Sequence, residues 1–83
     1  MHRTAPRFWR YFDQLPESTQ RVARRNFDLL KSNPRHPSLN FKKVGKYWSV
    51  RVGLGYRALA VEDDDGFVWV WIGLHNEYDR LTN

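Results

Sequence analysis

Residues 47–72, "YWSVRVGLGYRALAVEDDDGFVWVWI", contain three apolar runs separated by short turns. The first part alternates in polarity, because Trp48, Val50 and Val52 fall on one side of an extended chain. A short "GLG" connection leads into a second apolar run, and the Asp-Gly turn "DDDG" leads into a third. The pattern predicts consecutive antiparallel strands joined by tight turns.

The "GLG" connection also predicts how the first two of these strands pair. If residues 53–55 form the loop, Val52 faces Tyr56 and Arg51 faces Arg57. The two guanidinium groups then share a face, with their β-carbons roughly 5 Å apart. A shorter loop breaks this pairing, since a slip of one residue moves every side chain to the other face.

The "DDDG" turn predicts the pairing of the last two strands. If all of "DDDG" forms the loop, Glu62 lies opposite Phe67, and counting back along a regular ladder sets Arg57 opposite Ile72. This register also predicts that large side chains cover small ones on one face of the sheet. The residues of that fit are Trp69, Trp71, Ala58 and Ala60.

Upstream of the strands, apolar residues recur with the spacing of a helix instead of the alternation of a strand. Residues 4–15 and 16–34 each place apolar side chains on one face, and an early proline in each suits a first helical turn. These side chains are Phe8, Trp9, Phe12, Leu15, Val22, Ala23, Phe27 and Leu30, with Thr4 as a candidate N-cap. "LNFKKV", residues 39–44, alternates like a strand, and "HNEYDRL", residues 75–81, is long enough for one or two helical turns.

The predicted fold is α+β. A two-helix hairpin packs on a four-stranded antiparallel meander sheet, and a short C-terminal helical turn follows. A single domain spans residues 1–83, because no linker, repeat or change of composition divides the chain. Residues 1–4 are too few to show whether they add an edge strand.

The composition narrows the class of protein. The chain has no cysteine, which excludes disulfides and thiolate metal sites and suits a reducing cytoplasm. No apolar run is long enough to span a membrane and no signal-peptide core follows Met1, so the expected location is cytoplasmic. A net charge of +5 favours a polyanion partner, either nucleic acid or an acidic protein. The aspartates at 63–65 share one turn, where adjacent acids seldom converge on one ion, so no metal site is expected.

One end of the predicted sheet gathers polar side chains. The last strand ends at the edge where the strand beginning "GYR" starts, and Gly73 permits a bend there. His75 and Tyr78 are therefore expected beside Arg57 and Arg51. Because like charges directly opposite each other destabilise a sheet, the arginine pair predicts an anion between them.

The segments "LNFKKV", "YWSVRVGLGYRALAV" and "WVWIGLHNEYDRL", together with the acidic glycine turn, resemble the RelE/ParE superfamily of toxins from bacterial toxin–antitoxin modules. The resemblance extends from the helical hairpin to the C-terminus. It implies a small basic endoribonuclease that cleaves mRNA, often in the ribosomal A site, without a metal or other cofactor. It also implies an acidic antitoxin that binds and silences the toxin. Neither binding to a membrane nor a small-molecule ligand is expected.

The resemblance implies roles for particular residues. The arginine that follows "GY" and contacts the scissile phosphate falls on Arg57, and a basic residue of the preceding strand falls on Arg51. The basic or histidine position after the last strand falls on His75, and a C-terminal aromatic that stacks on or polarises the substrate corresponds to Tyr78. The chain departs from the best-studied members at Ser49, where they carry the earlier lysine of a pair.

Such a cleavage pushes the 2′-hydroxyl onto the adjacent phosphorus, which requires a base, an acid and cations around the phosphorane. Arg57 and Arg51 suit the phosphorane because a guanidinium binds two oxygens at once. His75 suits either proton transfer, and the sequence does not decide which. Glu77 is either a solvated helix residue or a further catalytic group.

A run of lysines lies near the first predicted hairpin. Lys42, Lys43 and Lys46 either form a solvated edge that deters strand pairing or bind RNA backbone phosphates.

Two other functions stay open. ParE-like members of the superfamily poison DNA gyrase instead of cutting RNA, and Ser49 also fits that branch. A relative that has lost toxicity would act only as a partner-binding module. The histidine favours the ribonuclease, because a gyrase-binding protein needs no histidine beside an anion site.

Overall fold

The computed structural model describes residues 1–82 of the chain. The helices and strands are β1 His2–Thr4, α1 Pro6–Phe12, α2 Glu17–Ser32, β2 Lys42–Val44, β3 Tyr47–Val52, β4 Tyr56–Asp63, β5 Gly66–Leu74 and α3 His75–Thr82. A 3-10 turn, Pro37–Leu39, connects α2 to β2. The predicted α+β class is confirmed, with a helical hairpin before the meander and a short helix after it.

The sheet has the strand order β1-β5-β4-β3-β2, one strand more than predicted. Strands β2 to β5 form the predicted antiparallel meander, and β1 lies parallel to β5 with His2 opposite Phe67. The imidazole of His2 stacks on Phe67 at 5.1 Å and accepts a hydrogen bond from Trp69 Nε1 at 3.1 Å. These contacts explain why so short a strand is ordered. Its partners lie at the far end of the chain, so local pattern did not predict it.

The helical hairpin begins differently from the prediction. Thr4 lies in β1, and its hydroxyl accepts a hydrogen bond from Trp9 Nε1 at 3.0 Å instead of capping α1. Trp9 is 39% exposed, although its spacing predicted a place on the apolar face. The predicted stripe of α2 is confirmed, since Ala23 and Leu30 are buried against the sheet. No helix within residues 1–82 has the length and apolar character needed to cross a membrane.

Buried side chains form a cluster on each face of the sheet. The cluster between the hairpin and the sheet contains Phe8, Phe12, Ala23, Leu30, Leu39, Val50, Val52, Ala58, Ala60, Trp69 and Ile72. The cluster on the opposite face contains Leu59, Val70, Trp71 and Tyr78. Tyr78 comes from α3, so the C-terminal helix covers this second face. The face with Arg51 and Arg57 is therefore the face of the smaller cluster, since strand residues alternate.

A bulge in β5 separates the two tryptophans. Leu59 pairs with Trp71 but Ala60 pairs with Trp69, so Val70 is an extra residue in β5. As a result Trp69 packs with the alanines of β4 on the hairpin side, whereas Trp71 packs on the opposite face. The prediction that both tryptophans cover the alanines was therefore wrong for Trp71.

The same bulge corrects the predicted pairing of β4 with β5. Glu62 faces Phe67 as predicted, but Arg57 faces Gly73 instead of Ile72. Counting back from the turn assumed a regular ladder, and one extra residue moves every later pair by one position.

Candidate functional site

Two arginines face each other at the end of β3 and the start of β4, next to the loop that connects these strands. Arg51 pairs with Arg57 in the ladder, as the loop length predicted. Within residues 1–82, no carboxylate lies within ion-pairing distance of either guanidinium. Burial lowers the pKa of Arg57, and the charge of Arg51 lowers it further, whereas Tyr78 and Asp79 act in the opposite direction. A bound anion would relieve the repulsion between the two cations.

Neighbouring groups fix the orientation of the arginine pair. Arg57 Nη1 donates a hydrogen bond to the backbone oxygen of Tyr56 at 3.0 Å, and its guanidinium carbon lies 5.9 Å from the centre of the Tyr78 ring. The backbone oxygen of Arg51 accepts from Asn26 Nδ2 at 3.0 Å, which ties the end of β3 to α2. The pair therefore lies on a strand end supported by both layers of the fold.

His75 is the first residue of α3 and lies beside the same tyrosine. Its backbone nitrogen donates to the oxygen of Gly55 at 2.9 Å, which fixes α3 against the β3–β4 loop. Its ring lies 5.5 Å from the ring of Tyr78. Because Arg57 and His75 both contact Tyr78, the structure brings these predicted site residues together at one end of the sheet.

Gly73 does not provide the predicted bend. It stays in β5, opposite Arg57, and α3 starts two residues later. A β-carbon on Gly73 would collide with the ring of Trp71. The glycine is therefore required by the close approach of the indole, and the change from strand to helix occurs at His75.

Asp79 is a neighbour that sequence reasoning missed. Its Oδ2 lies 3.5 Å from His75 Nδ1, and the two residues are one helical turn apart. The i, i+4 spacing is the signal that identifies such a pair once "HNEYD" is assigned to a helix. Glu77, the acidic residue of α3 that the sequence suggests as a further catalytic group, is exposed and makes no ion pair among the described residues.

The three predicted RNA-binding lysines do not form one group. Lys42 pairs with Ser49, so it shares a face with Arg51, whereas Lys43 pairs with Trp48 on the hairpin face. Lys46 lies in the β2–β3 turn, at the end of β3 far from Arg51, with its ammonium 5.4 Å from the ring of Tyr47. Lys42 is therefore the lysine of the run that is placed on the arginine face.

The acidic turn between β4 and β5 has a structural task. Asp63 accepts a hydrogen bond from the guanidinium of Arg3 and another from the backbone nitrogen of Asp65. The bond from Arg3 lowers the pKa of Asp63. The carboxylate of Asp63 therefore helps to hold β1 against the end of β4.

An apolar cavity of about 250 Å³ lies between the hairpin and the sheet. Its charged lining residues are Arg24 and Asp28, and the guanidinium of Arg24 lies 4.9 Å from the ring of Phe12. This cavity is on the opposite face of the sheet from Arg57. Its lining residues include no cluster of proton-transferring groups.

Solved structures with a similar fold are toxins. The RelB–RelE antitoxin–toxin complex from Methanococcus jannaschii superposes with a TM-score of 0.69 at 18% identity, covering 98% of this chain and 99% of that chain. The toxin–antitoxin complex RelBE2 from Mycobacterium tuberculosis gives a TM-score of 0.64 at 21% identity, with 90% and 96% covered. The isolated RelE toxin from E. coli gives 0.64 at 10% identity, with 98% and 94% covered. At these identities the likeness shows the fold.

A search of curated proteins finds no match to the sequence. A family model nevertheless identifies the family. The family model of the ParE-like toxin domain matches residues 17–80, from the start of α2 into α3. Because this match covers most of the chain and the fold is that of RelE toxins, the protein belongs to the ParE-like toxin domain family of the RelE/ParE superfamily.

Proposed function

We propose that this protein is the toxin of a toxin–antitoxin module and acts as a metal-independent endoribonuclease on mRNA. The observation that carries the proposal is the pair Arg51–Arg57, which faces no carboxylate within ion-pairing distance among residues 1–82 and lies beside Tyr78 and His75. The two cations suit the oxygens of a phosphate, and the histidine suits proton transfer to or from the reacting groups.

In the proposed reaction the 2′-oxygen forms a bond to the adjacent phosphorus and the bond from phosphorus to the 5′-oxygen breaks. The proton of the 2′-hydroxyl goes to a base, and an acid supplies a proton to the leaving 5′-oxygen. The products are a 2′,3′-cyclic phosphate and a free 5′-hydroxyl. Arg51 and Arg57 stabilise the charge on the phosphorane oxygens, because their guanidinium groups are already in place before the reaction.

His75 carries one of the two proton transfers. Its Nδ1 faces the carboxylate of Asp79 at 3.5 Å, so Nε2 is the nitrogen available to the substrate. Tyr78 is buried and contacts both His75 and Arg57, which makes it a positioning group for both.

The proposed partner is an acidic antitoxin. The chain carries a net charge of +5, and two of the structures with this fold were solved as complexes of toxin and antitoxin. An acidic partner that covers the arginine pair would exclude RNA phosphate from it by occupying the same cations.

The test is to induce the protein from a tightly controlled promoter and to map the 5′ ends of cellular mRNA. We expect new ends bearing a 5′-hydroxyl, which decrease about 100- to 1,000-fold with Arg57→Gln and about 100- to 10,000-fold with His75→Asn. Arg10→Gln is the matched control, because it removes the same charge from an exposed position on α1. Intact mRNA with the wild-type chain would overturn the proposal.

A substrate with sulfur in place of the leaving 5′-oxygen assigns the role of His75. Sulfur leaves without a proton, so this substrate restores the activity of His75→Asn if the histidine is the acid. If the histidine is the base, the defect persists.

Inhibition of DNA gyrase is the second candidate, because the matching family model is that of ParE-like toxins and Ser49 lacks the lysine of the ribonucleases. Loss of gyrase supercoiling activity in the presence of the purified protein, with mRNA intact, would favour this candidate.

A further inference from the structure

A groove borders the outer edge of the sheet on the face away from the arginine pair. We name it the Trp48 groove, and its lining residues are Pro34, Arg35, His36, Pro37, Asn40, Phe41 and Trp48. The space within it is about 750 Å³, which is in the range that holds a nucleoside-sized ligand. None of these lining residues is acidic, and Arg35 is exposed without an ion pair among the described residues.

The aromatic wall of the groove is fixed before any ligand binds. Trp48 is half-buried, its Nε1 donates to Glu62 at 3.0 Å, and its ring lies 5.1 Å from the ring of Phe41. Because the polar edge of the indole is committed to Glu62, the exposed part of Trp48 offers an apolar aromatic surface. Such a surface suits stacking of a planar base.

The polar wall is also fixed in orientation. Two prolines bracket the loop, which restricts its backbone. His36 Nδ1 accepts a hydrogen bond from the backbone nitrogen of Ser38 at 3.2 Å, so in the neutral ring Nε2 carries the proton. Asn40 is exposed and supplies an amide donor and acceptor. These groups match the hydrogen-bonding edge of a nucleobase.

The edge strand β2 connects this groove to the arginine pair. It is the last strand in the sheet, and its consecutive lysines point to opposite faces because side chains alternate. Lys42 lies on the face of Arg51, and Lys43 lies on the face of Trp48. Both lysines are exposed. They form a short cationic path around the edge from one site to the other.

We propose that the Trp48 groove binds a nucleobase of single-stranded RNA, and that the backbone of this RNA passes around β2 along Lys42 and Lys43 towards Arg51 and Arg57. The groove would thus set which nucleotide lies at a fixed distance from the reacting phosphate. This inference rests on the proposed function only in taking RNA as the polyanion.

The experiment measures binding of a fluorescently labelled single-stranded RNA in which 2′-methoxy groups replace the 2′-hydroxyls and prevent cleavage. The double variant Arg35→Gln/Lys43→Gln is compared with Arg10→Gln/Arg25→Gln, which removes the same charge from exposed positions on the helices. We expect the slope of log affinity against log salt concentration to decrease by about 1.4 in the groove variant, since each lost phosphate contact removes about 0.7. The slope of the control should not change.

Trp48→Leu tests the stacking contact separately. We expect roughly 5- to 150-fold weaker binding of the same RNA, provided that the melting curve shows a folded protein. Should this variant not fold, ultraviolet cross-linking of 4-thiouridine RNA to the wild-type chain gives the same information. The cross-linked peptide is then expected to contain Phe41 or Trp48.

Several outcomes would overturn the inference. Equal slopes in the groove variant and its control would do so, and so would a cross-link that maps away from the groove. A groove variant that binds RNA normally but loses affinity for an acidic peptide would make the groove a protein interface. If the wild-type chain cleaves RNA and the groove substitutions do not change RNA binding, this inference alone fails. If it binds RNA through the groove but cleaves none, the proposed activity fails and the inference stands.

Discussion

Asp79 lies near two basic groups, the imidazole of His75 and the guanidinium of Arg57. Its contact with Nδ1 of His75 orients the ring. In the proposed reaction its charge would also compete with RNA phosphate for Arg57. We therefore expect Asp79→Asn to reduce kcat for RNA cleavage by about 10-fold or more and to lower KM. Steady-state kinetics on the cleavable RNA measures both changes.

Glu77→Gln is the control for this prediction, because it removes the same charge from an exposed position on the same helix. The free energy of unfolding should change by less than about 1 kcal/mol in either variant, since exposed ion pairs contribute little. A proportional fall of kcat in both variants would contradict an orienting role for Asp79.

At the scale of residues, the sequence predicted the Arg51–Arg57 pair because a loop bounded by glycines leaves few registers. It did not predict the role of Gly73. Only the folded chain brings the ring of Trp71 over that glycine. Trp71 and Gly73 are two residues apart on the same face of β5, but the direction in which the indole lies along the strand leaves no trace in hydrophobic periodicity.

At the scale of elements, the β4–β5 turn depends on Gly66. Its φ of +127° is outside the range of other residues, and a β-carbon there would collide with the backbone of Met1. Gly45, in the β2–β3 turn, has a φ of +60° and open space around it. We expect Gly45→Ala to lower the free energy of unfolding by about 1 kcal/mol and Gly66→Ala to lower it by about 3 kcal/mol. Urea unfolding of both variants measures the difference, and equal losses would contradict the requirement at Gly66.

The strand β1 makes the fold sensitive to mild acid. Burial lowers the pKa of His2, and the N-terminal ammonium and Lys31 lower it further. The unfolded chain then binds a proton near pH 6.5 that the folded chain binds only at lower pH, so stability falls as pH decreases through this window. Protonation also removes the acceptor at Nδ1 that Trp69 uses.

We expect the melting temperature to fall between pH 7.5 and pH 5.5, and to fall less in His2→Gln, whose side-chain oxygen accepts the same hydrogen bond without titrating. His36→Gln should keep the full decrease. The pKa of Asp63 is also lowered, but its contribution is lost only as pH falls below about 3.8, so the two effects separate. An unchanged slope in His2→Gln would exclude His2 as the source.

Most helices and strands were predictable, because the spacing of apolar residues and the residues of tight turns are local features of the sequence. β1 and the bulge at Val70 were not. β1 is ordered by side chains from the other end of the chain, and a bulge preserves every local propensity while changing the pairing.

One sheet supports both apolar clusters of the protein. Ala58 and Ala60 of β4 belong to the larger cluster, and Leu59 between them belongs to the smaller one. Loss of either face should therefore unfold the other. We expect Leu30→Ala and Leu59→Ala each to lower the free energy of unfolding by about 2–5 kcal/mol. In both variants, far-UV circular dichroism and tryptophan fluorescence should report one common midpoint. Separate midpoints would show that the two faces unfold independently.

The meeting of Arg57, His75 and Tyr78 was predictable because it follows from topology. In a meander the last strand ends beside the start of its neighbour, so the groups after β5 must meet those at the start of β4. The basic composition predicts a polyanion partner but not where on the surface that partner binds. The Trp48 groove itself lies between the loop before β2 and strand β3, so no local sequence pattern predicts it.

The extra residue in β5 has a consequence for how the gene can vary. Deletion of the Val70 codon would remove the bulge and leave the pairs on both sides of it in place, with Ala60 still opposite Trp69 and Leu59 still opposite Trp71. Deletion of a residue in the regular part of the ladder, such as Ile72, would instead turn every later residue of β5 to the other face. His75 and Tyr78 would then emerge on the face of the hairpin, away from the arginines. Val70 is therefore the position in β5 at which the gene should best tolerate the loss of one codon.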